Sequence, residues 1–241
     1  MTALFISDLH LDDSRPAATA CFLRFLAGAA RQADDLYILG DLFEVWTGDD
    51  AGGPHEQEVG RALARFTAAG HRGHFVRGNR DFLVGERFAA ETGLELLPDE
   101  SVIDLPGTRA LLMHGDTLCT GDEAYQRYRR LVHHPGVQAA YLALPVSLRR
   151  RIAGFARRRS AAANAGKPPA IMDVDPGAVA AALRRHHVDL LVHGHTHRPG
   201  VHALDAGGIP ARRIVLGDWY TQGSVLWWTP AGPELRALNF G

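Results

Sequence analysis

The chain has 241 residues, 46% of them hydrophobic and 22% charged, and a net charge of −1. These values fit an ordinary globular chain with a full core, long enough for one large domain or two small ones at roughly 100–200 residues each. They argue against a polyanion binder acting by bulk charge, and no stretch approaches the roughly 18 consecutive apolar residues of a spanning helix.

The first apolar run, 3–6, is too short for a signal peptide and lacks a basic leader. We therefore expect a cytoplasmic protein, at most peripheral on a membrane. Cys21 and Cys119 are not paired in a metal-type motif, so we read both as reduced, small hydrophobic side chains.

In chain order, short apolar runs end in polar or glycine-bearing turns. They are 3–6 before SDLH, 36–39 before GDLFE, 74–76 before RGNRD, 110–113 before HGD, 190–192 before HGHTH and 214–216 before GDWY. Runs of this length read as buried strands. Helical patterns lie between them: 16–31, opened by Pro16 with Phe22, Phe25 and Leu26 on one face, 56–68, ended by Gly70, and 176–186. The tail, 224–229 and 234–238, reads as antiparallel strands. Alternating β and α elements predict an α/β fold, with ligands gathered past the strand C-termini.

The stretch from about 122 to 172 differs in kind. It is helix-rich, broken by Pro135, Gly136 and Pro145, and we expect a basic helical insertion within a single domain of residues 1–241. From 124 to 172 it holds ten cations and no acid, whereas the rest of the chain carries the other 16 cations and all 27 acids. Such asymmetry marks a segment that meets something anionic. Val132, Leu142, Leu144, Val146, Leu148, Ile152 and Phe155 lie between its cations, a composition suited to acyl chains and an anionic membrane surface.

The chemistry sits at the strand ends. Asp8 and His10 share one side of an extended backbone, and Asp41, Asn79, His114, His195 and His197 follow later strands. Carboxylates, an amide oxygen and imidazoles without thiolate suit Mn²⁺ or Fe²⁺, with Zn²⁺ an alternative. Seven such side chains exceed one ion's needs but fit two ions sharing a bridging carboxylate, a pairing that activates water and clamps a phosphoryl oxygen. His55, His71, His74, His133, His134, His186, His187 and His202 read as structural residues without partners, and His193 as structural or supporting.

The order D-x-H, GD, GN-x-D, HGD, GH-x-H, from Asp8 to His197, resembles the calcineurin-like metallophosphoesterase superfamily. That resemblance implies a four-layer α/β/β/α sandwich built on two mixed sheets, here with a helical cap. The stretches DLFEVWTGDD (41–50), VRGNRDFL (76–83), MHGDTLCTGDEAYQ (113–126), IMDV (171–174) and GDWYTQGSV (217–225) resemble the UDP-2,3-diacylglucosamine pyrophosphatase family within it. This narrower resemblance implies hydrolysis of a lipid-linked UDP-sugar in lipid A biosynthesis, water attacking the α phosphate. It also implies one ion, most simply Mn²⁺, on Asp8, His10, Asp41 and His197 and a second on Asp41, Asn79, His114 and His195. Substrate contacts would fall on Asn79, Arg80, Asp122, Ser160, Asn164, Lys167 and His195, and the catalytic set would be Asp41, Asn79, Arg80, His114 and His195.

Three other readings remain at this stage. One is a relative acting on nucleotides or phosphoproteins, and another is a scaffold that kept the fold without catalysis. A nuclease is disfavoured because Tyr125, Tyr128 and Phe155 alone supply aromatics to the basic region. Neither a nucleic acid nor an obligate protein partner is expected.

Overall fold

A computed structural model describes residues 1–164, 171 and 173–240, with the backbone only at 161, 163 and 164. Its strands form two sheets. The first has the order β11 (Gly232–Leu238), β10 (Gly223–Thr229), β1 (Ala3–Ile6), β2 (Asp35–Leu39), β3 (Arg72–Val76) and β4 (Leu94–Leu97). Strands β1 to β4 are parallel, and the tail hairpin β10–β11 joins antiparallel on β1. The second has the order β5 (Ser101–Leu105), β6 (Thr108–Met113), β7 (Leu190–His193), β9 (Pro210–Val215) and β8 (Gly200–Asp205). There β6, β7 and β9 are parallel, and β5 and β8 close the edges antiparallel.

The strand period of two explains the layering. Ala3, Phe5, Tyr37 and Leu39 face the second sheet and pack with Ala110, Leu112, Leu190, Val192 and Ile214. Their alternate neighbours Leu4, Ile6, Leu36 and Ile38 face outward, under α1 (Pro16–Ala27), α2 (Pro54–Ala68) and α3 (Glu86–Thr92). On the far side, Leu111, Met113 and Leu191 pack under α7 (Pro176–His186). With both faces buried, the central strands read as continuous apolar runs. The result is the expected α/β/β/α sandwich.

Some expectations are corrected. The helix predicted over 16–31 stops at Ala27, because Gly28 leaves helical geometry, and a separate 3-10 turn spans Ala29–Gln32. The second helix begins two residues early, at Pro54, where the Glu56 carboxylate accepts the Gly53 amide at 2.7 Å. Strands β4, β5 and β8 are not among the predicted runs. All three are sheet edges, where a solvated face dilutes the pattern.

Between β6 and α7 lie α4 (Glu123–Val132), α5 (Pro135–Leu142) and α6 (Val146–Asn164), where the helical insertion was expected. Three of its ten cations, Arg129, Arg149 and Arg157, form ion pairs with the protein's own body, which revises the reading of that charge. Arg129 donates to Asp116 at 2.7 Å and Asp99 at 2.8 Å, and Arg157 to Glu44 at 2.6 Å. Arg149, only 1% exposed, donates to the Thr47 carbonyl at 2.6 Å, the Leu144 carbonyl at 3.0 Å and both oxygens of Asp50. Hydrogen bonds from a charged donor contribute about 1.5–3 kcal/mol each, and a buried carbonyl left unpaired costs comparably. We expect Arg149→Met to lower stability by about 2–4 kcal/mol, seen as a lower urea midpoint, while Arg158→Met, on an exposed site, changes it by less than about 0.5 kcal/mol.

Candidate metal centre

The parallel strands β1, β2, β3, β6 and β7 deliver the predicted residues to one place. Asp8, His10, Asp41, His195 and His197 all adopt left-handed backbone conformations, with φ of 55°, 48°, 54°, 65° and 54°. Such conformations cost of order 1–3 kcal/mol each in a residue with a Cβ and persist where surrounding structure imposes them. Two close approaches help impose them. A Cβ on Gly78 would lie 2.2 Å from Asp41 Oδ1 and 2.3 Å from its amide nitrogen. One on Gly194 would lie 2.3 Å from Asp8 Oδ2. Glycine at both positions lets one turn seat against the carboxylate of another.

The donor atoms converge. His10 Nε2 lies 3.5 Å from His197 Nε2, 3.9 Å from Asp8 Oδ1 and 3.7 Å from Asp41 Oδ2. His197 Nε2 lies 3.2 Å from Asp8 Oδ1. On the other side, His114 Nε2 lies 3.7 Å from Asp41 Oδ1, and Asn79 Oδ1 lies 2.9 Å from both His114 Nε2 and His195 Nδ1. Asp41 thus faces both groups with one oxygen each. Asp8, His10 and His197 form one compact set of metal-ligand type, and Asp8, Asp41 and His114 another.

The surroundings leave the right atoms free for a cation. Asp8 Oδ2 accepts from Ser7 Oγ at 2.6 Å and the His195 amide at 2.8 Å, so Oδ1 is the oxygen turned to the site. His114 Nδ1 donates to the Leu39 carbonyl at 2.8 Å, turning Nε2 inward. Burial opposes charge on His114, yet Asp41, Asp8 and Asp116 outweigh it and raise the ring to about 9. Burial likewise opposes ionisation of Asp8, but the His197 hydrogen bond and the nearby rings hold its carboxyl well below the usual range. Burial, followed by the charge of His114, pushes His195 down to about 4, which keeps it a neutral ligand-type imidazole. This electron-rich set of carboxylate, amide and imidazole groups favours positive charge at its centre and fits divalent cations.

Other predicted residues are placed as follows. The Arg80 amide donates to Asp41 Oδ1 at 2.8 Å, and its half-buried guanidinium acts electrostatically on Glu44, Tyr128 and Tyr220. Asp122 caps α4, accepting the Tyr125 amide at 3.1 Å. Ser160 is exposed on α6, the Asn164 side chain is not described, and Lys167 lies outside the described residues.

For six of the other histidines the reading as lacking partners is corrected, and all but one of these partners come from distant segments. His55 pairs with Thr19, His71 with the Ala33 carbonyl, His74 with Asp35 and Glu95, and His186 with Glu100. His133 stacks on Phe82, and His134 caps α5. Burial drives His193 down to about 3, in keeping with a structural role.

Three carboxylates were missed. Asp81, fully buried, accepts the amides of Gly78 (2.8 Å), Asp41 (3.2 Å), Leu42 (2.7 Å) and Phe43 (3.4 Å). Burial and the charge of Asp41 push it up to about 6 against the pull of those amides. Asp116 accepts from Tyr125 Oη at 2.5 Å and Arg129 Nε at 2.7 Å, tying α4 to the HGD turn. Glu44 Oε2 stands 3.0 Å from His10 Nδ1. Asp81 and Asp116 were visible as the last residues of GNRD and HGD. Glu44 carried no signal beyond its place in GDLFE.

The model of the calcineurin-like phosphoesterase family matches residues 1–199. A protein of Klebsiella pneumoniae named UDP-2,3-diacylglucosamine hydrolase is 54% identical over 240 residues, covering 100% of both chains. One of the same name from Escherichia coli O17:K52:H18 is 53% identical with the same coverage. Among solved structures, the E. coli phosphoesterase Yfce aligns over 100% of this chain and 94% of its own at 18% identity and TM-score 0.48.

The electrostatics give a direct expectation. A divalent ion that binds only the folded protein should raise the melting temperature, by the equivalent of about 2.7 kcal/mol at a hundredfold excess over Kd. Thermal unfolding with and without added Mn²⁺ measures this. Asp41→Asn, which takes charge from both halves of the site, should abolish most of the shift.

Proposed function

This chain belongs to the calcineurin-like phosphoesterase family, and we propose that it hydrolyses the pyrophosphate bond of UDP-2,3-diacylglucosamine to UMP and 2,3-diacylglucosamine 1-phosphate, a step of lipid A biosynthesis. The observation that carries this reading is 54% identity across the whole of both chains with a protein named for that substrate. The geometry supports it with seven ligand-type side chains at one end of the sandwich. They sit beneath a helical cap that works as part of one domain.

Asp8, His10, Asp41 and His197 would hold one ion, and Asp41, Asn79, His114 and His195 the other, with Mn²⁺ the best match to these donors. Such a pair supplies an activated water and neutralises phosphoryl oxygens. Asp41 serves both halves, and the Arg80 amide fixes its orientation. Asn79, Arg80 and His195 would border the reacting phosphate and Asp122 and Ser160 the nucleotide and sugar, a role that the family resemblance extends to Asn164 and Lys167.

Arg80 is a statement about the leaving group. A guanidinium keeps its proton and cannot donate it to a departing alkoxide. A sugar 1-phosphate leaves as an anion whose last pKa is near ~6 and needs charge stabilisation, which a planar guanidinium provides. A turn-forming role for Arg80 through Asp81 does not compete, since Asp81 is occupied by four backbone amides.

The cap would also meet the membrane. Tyr128, Leu131, Val137, Leu142, Leu148, Ile152 and Phe155 are exposed on α4 to α6, a patch suited to acyl chains at an anionic cytoplasmic surface.

Purified protein with Mn²⁺ should release UMP from the UDP-lipid, and chelation should stop turnover until Mn²⁺ is restored. In ¹⁸O-water the label should enter UMP; label in the sugar phosphate would place attack on the other phosphorus. Arg80→His should lower anhydride cleavage on the order of 10²–10³-fold, the size of losing one preorganised charge donor, while sparing an alkyl phosphodiester. Flotation with anionic liposomes should weaken as salt rises, and binding indifferent to both lipid charge and salt would remove the electrostatic part.

A further inference from the structure

His10 is held from behind as well as from the site. Its Nε2 faces Asp8, Asp41 and His197, while the buried Nδ1, which has no aligned hydrogen-bond partner, lies 3.0 Å from Glu44 Oε2. Tyr220 stacks flat on the ring, with centroids 5.3 Å apart and planes 8° from parallel, and Arg15 lies over the far face of Tyr220 at 4.4 Å. A carboxylate accepts and does not donate, so the nearness of Glu44 favours the proton on Nδ1 and leaves the Nε2 lone pair turned to the metal site.

Glu44 has a second oxygen, and it is also used. Oε1 accepts from Arg157 Nη2 at 2.6 Å, in the middle of α6. The Glu44 side chain is 14% exposed and that of Arg157 42%. One carboxylate therefore joins the His10 turn to the cap helix, whose Arg157 lies 113 residues from Glu44 in sequence.

We propose that Glu44 is a positioning residue with two functions. It fixes His10 in the tautomer that binds the metal, and it couples the docking of α6 to the occupancy of that ion. A ligand imidazole backed by a carboxylate binds metal more tightly, because ring orientation and basicity are set in advance, and loss of such a partner weakens binding about 10–100-fold. Coupling follows from the shared carboxylate. An ion on Nε2 immobilises the ring, the ring immobilises Glu44, and Glu44 then presents a fixed acceptor to Arg157. Linkage makes the effect reciprocal. The proposal rests on the dimetal reading of the site.

The test uses the full-length protein, Mn²⁺ alone as ligand, and three variants. Calorimetric titration reads Mn²⁺ affinity, and amide hydrogen exchange over α6 reads cap docking. Glu44→Ala should weaken one Mn²⁺ site about 10–100-fold and speed α6 exchange. Glu44→Gln keeps an acceptor oxygen for His10 but turns an NH₂ group toward Arg157. It should retain most of the Mn²⁺ affinity while speeding α6 exchange roughly two- to fivefold, the size of a half-exposed ion pair. Arg157→Ala should match Glu44→Gln. Mn²⁺ should slow α6 exchange in the wild type but not in Glu44→Gln or Arg157→Ala. Wild-type Mn²⁺ affinity in Glu44→Ala would overturn the tautomer function. Unchanged α6 exchange in the other two, or slowing by Mn²⁺ that survives in them, would overturn the coupling. A wild-type protein that takes up no Mn²⁺ would instead defeat the dimetal reading itself, and this proposal with it.

Discussion

Four backbone amides close on one buried carboxylate, that of Asp81, and the site depends on this convergence. Two turns that follow neighbouring strands, β2 and β3, are clasped together by it: the amides of Asp41, Leu42 and Phe43 come from one turn and that of Gly78 from the other. Asp41 and Asn79 are thereby fixed relative to each other by backbone geometry, whatever their side chains bind. Burial and the nearness of Asp41 raise Asp81, so the clasp holds a carboxyl under electrostatic stress. A positive charge placed among Asp8, Asp41 and His114 relieves that stress. The metal-ligand set and the turn that carries it are therefore parts of one electrostatic arrangement.

The cap obeys the same logic at larger scale. An all-basic helical segment and an acidic body are two halves of one charge distribution, joined by Arg129 to Asp99 and Asp116, Arg149 to Asp50, and Arg157 to Glu44. These pairs differ in weight. Arg149 is buried and hydrogen-bonded on several sides, whereas Arg157 is half-exposed and screened. A firm anchor beside a weak, carboxylate-shared contact suits a cap whose base is fixed and whose far part responds to the site beneath it.

Histidine chemistry divides along the same lines. Burial lowers His195 and His193, the surrounding carboxylates raise His114, and His74 and His186 bind carboxylates near the surface. One residue type thus serves as ligand-type group, structural donor and surface ion-pair partner, and only its neighbours decide which.

The sequence by itself determined the α/β alternation, the strands with both faces buried, the helical character of residues 123–164 and the basic composition of residues 124–172, and the seven ligand-type residues. Each of these is written locally. A buried strand shows as an apolar run, and its ligand stands a few positions past its end, as Asp8 follows Ile6 and Asp41 follows Leu39. The tertiary structure alone decided what depends on distant partners. The edge strands β5 and β8 are half-solvated and dilute the apolar signature, and β4 is only four residues long. Arg149 and Asp50 are 99 residues apart and Arg157 and Glu44 113, so the self-neutralisation of the cap has no local trace. Glu44 is the clearest case: nothing in GDLFE distinguishes it from a surface acid, and its meaning appears only when folding brings His10 to one oxygen and Arg157 to the other. Short-range periodicity encodes elements and their ends, whereas long-range pairing of charges is encoded only through the fold that brings them together.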